Sequence, residues 1–408
     1  MNIKRICVMS DITRCKNGQP GILLWLGGMM EGIVSRICDT PFYTFTKEEL
    51  RDLHLSLYGA YKLDLSKNEM RYNFLSVPKS CWVDLCFEEP NQAVLDLVCK
   101  YFKDTLVISR EPSVILKKAF DILNIPYIDL AIHSVRYMDD LIMGATTNIP
   151  EVYEKLKNYE LNEEEFYFYA DLLKAEYRFR NSLPDYIGPD VNYAIFMAQT
   201  PVDISLLDFK NKRLATFHDY IDRFENLVKT HDKVFYKPHP FYEDSETIKM
   251  IKSYPNTKIV KEQINIYQML SQPEYKTCAS ISSGTIKEAY YFGKNTECYL
   301  RQPYTYSEEY KDKSLLTKDI YVTIGKHWMA SAFWADILQP IIDTRDVYRI
   351  DVNNVHNKLR RILNKSWGFI DSDSTWANSN INCMKEYVES KGKNSIRKTL
   401  RKLLALCN

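Results

Sequence analysis

Net charge, paired cysteines and long apolar runs are what this 408-residue sequence lacks. A formal net charge of +1 argues against a nucleic-acid binder that relies on overall positive charge. The ten cysteines include no C-x-x-C pair and no structural-zinc spacing. Most sit in apolar runs, as Cys7 and Cys298 do, where a free thiol acts as a small core residue in a reducing compartment. No window supplies the ~18 uninterrupted apolar residues of a membrane-spanning helix. The apolar start of MNIKRICVMSD meets polar residues too soon for a signal peptide, so a cytoplasmic location is expected. Repeats and low-complexity tracts are absent as well. Gly27–Gly32 (GGMMEG) lacks the G-x-G-x-x-G spacing of a dinucleotide loop and is expected to be a helix-adjacent turn.

What remains is the composition of a soluble globular protein, 45% hydrophobic and 26% charged, long enough for two domains. In the first half KRICVMS, TLVIS and PYIDLAI read as strands, and 21–37, NQAVLDLVCKYF and SVILKKAFDILN as helices. A charged helical stretch (161–182) then leads to LPDYIGPD, whose prolines and glycine place a domain junction near 183–190. The pattern restarts with strands NYAIFMAQ, KVFYKPH, TKIV, KTCASIS and NTECYL and helices RLATFHDYIDRFENLVKTH, INIYQMLSQ and TIKEAYYFG. The expected fold is α/β and GT-B-like: a Rossmann-like domain at 1–185, a second at 186–350, and a helical segment at 351–408.

Ligands of open parallel sheets bind at the carboxyl ends of the strands. In the second domain that rule selects Gln199, Asp203 and Ser205 (QTPVDIS), Lys237 and His239 (KPHP), and Ser282, Ser283 and Thr285 (ISSGT). Pro238 and Pro240 hold Lys237 and His239 in a narrow range of directions, which suits a histidine that meets a ligand. Hydroxyl residues beside Gly284 at a helix start can receive phosphate, or can simply cap the helix. Glu288, one turn on, can accept from ribose hydroxyls or remain a solvated helix residue. Together these groups describe a nucleotide mono- or diphosphate cradle that needs no metal.

The order QTPVDIS, YKPHP, SISSGTIKEAYYFGK and YLRQPYTY resembles the bacterial capsule and lipopolysaccharide β-Kdo transferases and, more loosely, the bacterial sialyltransferases. That resemblance implies CMP held by the His-Pro and serine-rich motifs, with the CMP-sugar as substrate and no separate cofactor. VISREPS followed by IPYIDLAIHSVRYMDD is similar to the segment where that family carries an Asp-Gly catalytic motif. Here the strand ends Ile132-His133-Ser134 and no Asp-Gly follows, which leaves the acid at Asp139 or Asp140, or leaves the chain without it.

Taken as chemistry, HSVRYMDD puts His133, Arg136, Asp139 and Asp140 directly after a strand. A transferase breaking a ketosidic bond to CMP needs a carboxylate as base or nucleophile and a cation for the sugar's own carboxylate. The competing reading is a solvated loop with an Arg–Asp surface pair. Glu111, after TLVIS, is a second candidate acid.

Asp371-Ser372-Asp373-Ser374 contains an Asp-x-Asp but follows no βαβ unit and reads as a turn. The segment 391–408, KGKNSIRKTLRKLLALCN, interleaves six basic residues with an apolar stripe at helical spacing. It fits an anionic membrane surface or docking on the chain itself. The resemblance, whose acceptors are lipid-linked glycans, favours a peripheral position on the inner face of the cytoplasmic membrane. The expected function is transfer of an acidic sugar, foremost Kdo, from CMP to a cell-surface glycan. The alternatives are a CDP-glycerol-type polyol-phosphate transferase and a non-catalytic nucleotide-sugar-binding subunit of a capsule assembly.

Overall fold

A computed structural model describes residues 2–13, 24–63, 81–180, 191–201, 203–239, 244–260, 264–345 and 347. All belong to one compact unit, Met1–Val355. The expected junction at 183–190, the Asp-x-Asp at 371–374 and the basic segment 391–408 lie outside the described residues.

The first half runs β1 (Arg5–Ser10), α1 (Leu24–Ile37), β2 (Phe42–Tyr43), α2 (Lys47–Gly59), α3 (Cys81–Leu85), α4 (Gln92–Phe102), β3 (Thr105–Arg110), α5 (Val114–Ile122), β4 (Tyr127–Ile132), β5 (Met143–Thr147), α6 (Pro150–Lys157) and α7 (Glu163–Arg180). The second runs β6 (Tyr193–Met197), β7 (Leu207–Asp208), β8 (Arg213–Leu214), α8 (Ile221–Thr230), β9 (Lys233–Lys237), α9 (Ser245–Ile251), β10 (Thr257–Ile259), α10 (Ile266–Leu270), β11 (Tyr275–Ser280), α11 (Thr285–Tyr291), β12 (Asn295–Cys298), β13 (Val322–Ile324) and α12 (Ser331–Leu338).

Two sheets organise the unit. The first has the order β13-β5-β4-β3-β1-β2, with β1 to β4 parallel. The second, β10-β9-β6-β11-β12, is parallel throughout. Parallel strands covered on both faces are nearly continuous apolar runs, and the YIDLAI of β4 is buried at every residue. The architecture is α/β and GT-B-like, with two Rossmann-like sheets.

Each sheet reverses its strand order once. In the first, β2 lies on one side of β1 and β3 on the other; in the second, β9 lies on one side of β6 and β11 on the other. These reversals open crevices outside the strand ends, between β1 and β3 and between β6 and β11.

Three local outcomes differ from the sequence reading. GGMMEG lies within α1, because Met30, Ile33, Val34 and Ile37 are buried and their packing outweighs the helix cost of glycine. Arg213–Leu214 forms β8 and is not helical; Thr216 and Asp219 form a capping box that starts the following helical turn at Phe217. Finally, β13 pairs antiparallel with β5 of the first sheet, and α12 packs on α1 and α6. The expected second domain, 186–350, thus includes a stretch that returns to the first sheet.

Packing also joins the two halves. Val135, Tyr137, Met138 and Ile142, from the loop after β4, share one buried cluster with Ile195, Met197 and Cys278 of the second sheet and with Ile286 and Ala289 of α11. Each such side chain removed from water contributes roughly 1.5–3 kcal/mol. Four of them hold the loop firmly against the second domain. Among the described residues no helix is long and apolar enough to cross a membrane.

Candidate functional site

At the crevice of the second sheet, the exits of β6 and β11 are tied together by side chains. The Gln199 amide nitrogen donates to the hydroxyl oxygens of Ser282 (2.9 Å) and Ser205 (3.2 Å), and its oxygen accepts the Ser282 N–H (2.8 Å). Ser282 Oγ donates to Ser205 Oγ at 3.1 Å, and Gln302 donates to the Ser282 carbonyl at 2.9 Å. Asp203 accepts the Ser205 N–H at 2.9 Å and thereby caps the short turn that carries Ser205. Ser282 itself is fully buried, whereas Ser283 and Thr285 lie at the surface of the crevice, half-buried.

Lys237 and His239 leave β9 beside β6, with the Lys237 carbonyl accepting the Ala198 N–H at 3.0 Å. Burial lowers the His239 pKa; Asp203 counters this, and the Lys237 ammonium adds to it. The imidazole is therefore neutral at neutral pH and is flanked by one charge of each sign. Gln199, Asp203, Ser205, Lys237, His239, Ser282, Ser283 and Thr285 thus share one edge of one sheet.

Glu288 faces elsewhere. It is buried, and its Oε1 accepts the Arg136 N–H and the Tyr267 hydroxyl, each at 2.7 Å. The carboxylate couples α11 to the loop after β4.

That loop is not a solvated one. His133 is fully buried; its Nε2 lies 2.8 Å from Glu308 Oε1, and its Nδ1 accepts the Val135 N–H at 3.2 Å. This pattern makes His133 a neutral donor through Nε2. Burial holds its pKa below the ordinary 6.5 despite Glu308. The Glu308 carboxyl is pushed up by burial, but His133 and Lys287 outweigh that and keep it well below the usual carboxylate range. Lys287 and Thr323 also donate to Glu308.

Arg136 is half-buried, and Glu288 accepts its backbone N–H. Burial pushes its pKa down, while Glu288 raises it. Asp139 pairs with Lys326 at 2.8 Å. Asp140 is buried, and its Oδ1 accepts the N–H of Leu141, the next residue in the chain.

Glu111 occupies the exit of β3, at the crevice of the first sheet. Its backbone is left-handed, with φ at 45°, which is uncommon for a residue with a Cβ. Its N–H donates to the Leu130 carbonyl (3.0 Å) and to Asp129 (3.2 Å), which fixes the turn.

Glu308, Lys287, Lys326 and Gln302 were not singled out by sequence reasoning. Gln302 does lie inside the YLRQPYTY stretch; the others carry no local signal, since their partners are far away in the chain. No cluster of three or more His, Cys, Asp or Glu side chains placed to hold a metal ion occurs among the described residues.

At the level of sequence no protein-family model matches the chain, and neither does any curated protein. Among solved structures, the beta Kdo 2,7 transferase KpsC of Thermosulfurimonas dismutans is similar over 52% of this chain and 70% of its own, at 16% identity and a TM-score of 0.32. The UDP-GlcNAc 2-epimerase of Methanocaldococcus jannaschii, solved with UDP-GlcNAc and UDP, is similar over 89% of this chain and 99% of its own, at 10% identity and a TM-score of 0.29. Neither likeness assigns a substrate or a residue role.

Proposed function

We propose that the chain is a glycosyltransferase that takes an acidic sugar, foremost Kdo, from a CMP donor and delivers it to a lipid-linked cell-surface glycan. The observation that carries this reading is the convergence of Gln199, Ser205, Ser282, Lys237 and His239 on the switch-point crevice of a fully parallel sheet. Such crevices hold nucleotides, and hydroxyls with a lysine and a histidine suit a single phosphate. In the reaction the bond from the anomeric carbon to the phosphate oxygen breaks and its electrons leave with CMP. The acceptor oxygen bonds to that carbon, and its proton passes to a carboxylate at the first sheet's edge.

Glu111 is the acid favoured by its place, since it stands at the exit of β3 beside the first sheet's switch point with a left-handed backbone, whereas Asp140 is turned back on its own backbone. His133 and Arg136 then position the loop. The segment 391–408 would bring the enzyme to an anionic membrane surface; salt-sensitive co-sedimentation with anionic vesicles, lost on its deletion, checks that part.

Incubation with CMP-Kdo, CMP-sialic acid and CDP-glycerol tests the whole. Release of CMP from the sugar donors supports the reading. Release from CDP-glycerol alone makes the chain a polyol-phosphate transferase. Binding of CMP with no release from any donor points to a non-catalytic subunit, which the internal pairing of the HSVRYMDD residues would also suit.

A further inference from the structure

The crevice of the first sheet, between β1 and β3, carries polar groups that the fold leaves unsatisfied. Ser10 and Arg110 are paired in register at its floor, and Asp11 and Glu111 follow them. Ser109 is fully buried and Ser113 nearly so (3% exposed), and neither hydroxyl has a hydrogen-bond partner. Arg110 Nε is likewise buried without a partner. Ser113 occupies the N-cap position of the nine-residue helix α5, yet its side chain makes no capping bond.

Buried polar atoms cost free energy when unpaired, so three within five residues at a strand exit need a ligand or water to meet them. The nearest charge to Arg110 is Glu111, whose carboxylate is 3.5 Å away, too far for a tight bidentate pair. The Arg110 guanidinium, the Ser113 hydroxyl and the start of α5 therefore lie within four residues at the exit of β3, and they match an anion.

We infer that Arg110, with Ser113, binds the carboxylate of an acidic sugar. The inference rests on the proposed CMP-sugar reading and deepens it. In 2-keto sugar acids the carboxylate is attached to the anomeric carbon. Holding that group at Arg110 brings the reacting carbon beside the next residue, Glu111, so one turn supplies both the clamp and the acid.

The test is calorimetric titration of the full chain with free Kdo, free N-acetylneuraminate, neutral galactose and CMP, in wild type, Arg110→Gln, Arg110→Lys and Ser113→Ala. Arg110→Gln should lower affinity for both sugar acids by roughly 10- to 100-fold, as expected for a lost bidentate charge-assisted pair, and should leave CMP affinity unchanged. Arg110→Lys should recover part of the loss. Ser113→Ala removes a hydroxyl that bonds nothing within the protein, so it should leave the melting temperature unmoved while weakening the sugar acids. Arg110-dependent binding of sugar acids in a chain that ignores CMP would keep this site and remove the donor reading. The inference is overturned by sugar-acid affinities that do not respond to Arg110, by a loss confined to CMP, by equal binding of galactose, or by a wild type that binds neither sugar acid.

Discussion

Gln199 and Ser282 grip each other at two points: the amide nitrogen donates to the serine hydroxyl at 2.9 Å, and the amide oxygen accepts the serine N–H at 2.8 Å. The contact links the exits of β6 and β11, the strands on either side of the switch point. Because Ser282 is fully buried, each broken bond leaves a desolvated group behind. With the further bond to Ser205, Gln199→Ala loses three hydrogen bonds and should therefore cost about 3 kcal/mol of stability, at ~1 kcal/mol for each. A denaturant melt measures this, and calorimetry should show weaker CMP binding in the same variant, because Ser205 and Ser282 lose their common anchor. An unchanged midpoint with unchanged CMP affinity would mean that the clasp organises nothing.

His239→Ala and Ser283→Ala address the donor site directly. Loss of one hydrogen bond to a charged phosphate is worth about 1.5–3 kcal/mol, or roughly 10- to 100-fold in affinity. Both side chains are half-buried, so the fold should survive their truncation. Burial keeps the His239 imidazole neutral, and a bound phosphate favours its protonated form. Wild-type affinity should therefore gain, relative to His239→Ala, as pH falls below 6.5. Parallel pH profiles for the two proteins would show that the histidine does not meet the phosphate.

The element order was largely legible because parallel strands are short apolar runs between amphipathic helices, as TLVIS and PYIDLAI illustrate. The helix α2 could also have been read, from the Thr46-x-x-Glu49 capping box that starts it. By contrast, β5 and β13 are short, and only their pairing with each other and with β4 makes them strands. At the site, strand exits are readable from sequence because a parallel sheet aligns them. The direction of Glu288 was not readable: a helix glutamate looks solvated until Arg136 and Tyr267 arrive from distant parts of the chain. The same holds for His133, whose partner Glu308 is 175 residues away.

Stability should fall on acidification through the pair His133 and Glu308. The folded state lowers the His133 pKa below 6.5, so the unfolded chain takes up that proton first and stability drops as pH decreases below about 6.5. Glu308 is lowered from 4.5, so its contribution is present above that pH and is lost at lower pH. Both act in the same direction, in two stages. Glu308→Ala at neutral pH leaves Lys287 and His133 with a broken buried network and should cost about 3–5 kcal/mol. Thermal melts from pH 2 to pH 8 check both; a pH-independent melt would mean that the pair is not held as described.

Catalysis separates three carboxylates, of which the sequence puts Asp139 and Asp140 first and Glu111 second. Asp140 caps its own backbone and is buried, so Asp140→Asn should mainly lower stability. Asp139→Asn breaks the ion pair to Lys326, both partners being partly exposed, and should change turnover only modestly. Glu111 is different: it sits in a left-handed turn that a side chain rarely adopts, at the switch point of the first sheet, next to an arginine with an unsatisfied nitrogen. Such conformations persist where the surroundings hold a group in place for use. Removing a positioned base or nucleophile typically costs at least ~10²-fold in turnover, so Glu111→Gln should show that loss with CMP affinity intact. The measurement is CMP release from CMP-Kdo at saturating donor, run beside calorimetry for each variant. A Glu111→Gln enzyme with near-normal turnover, together with a collapse in Asp139→Asn that leaves its melting temperature unchanged, would move the acid back to the loop after β4.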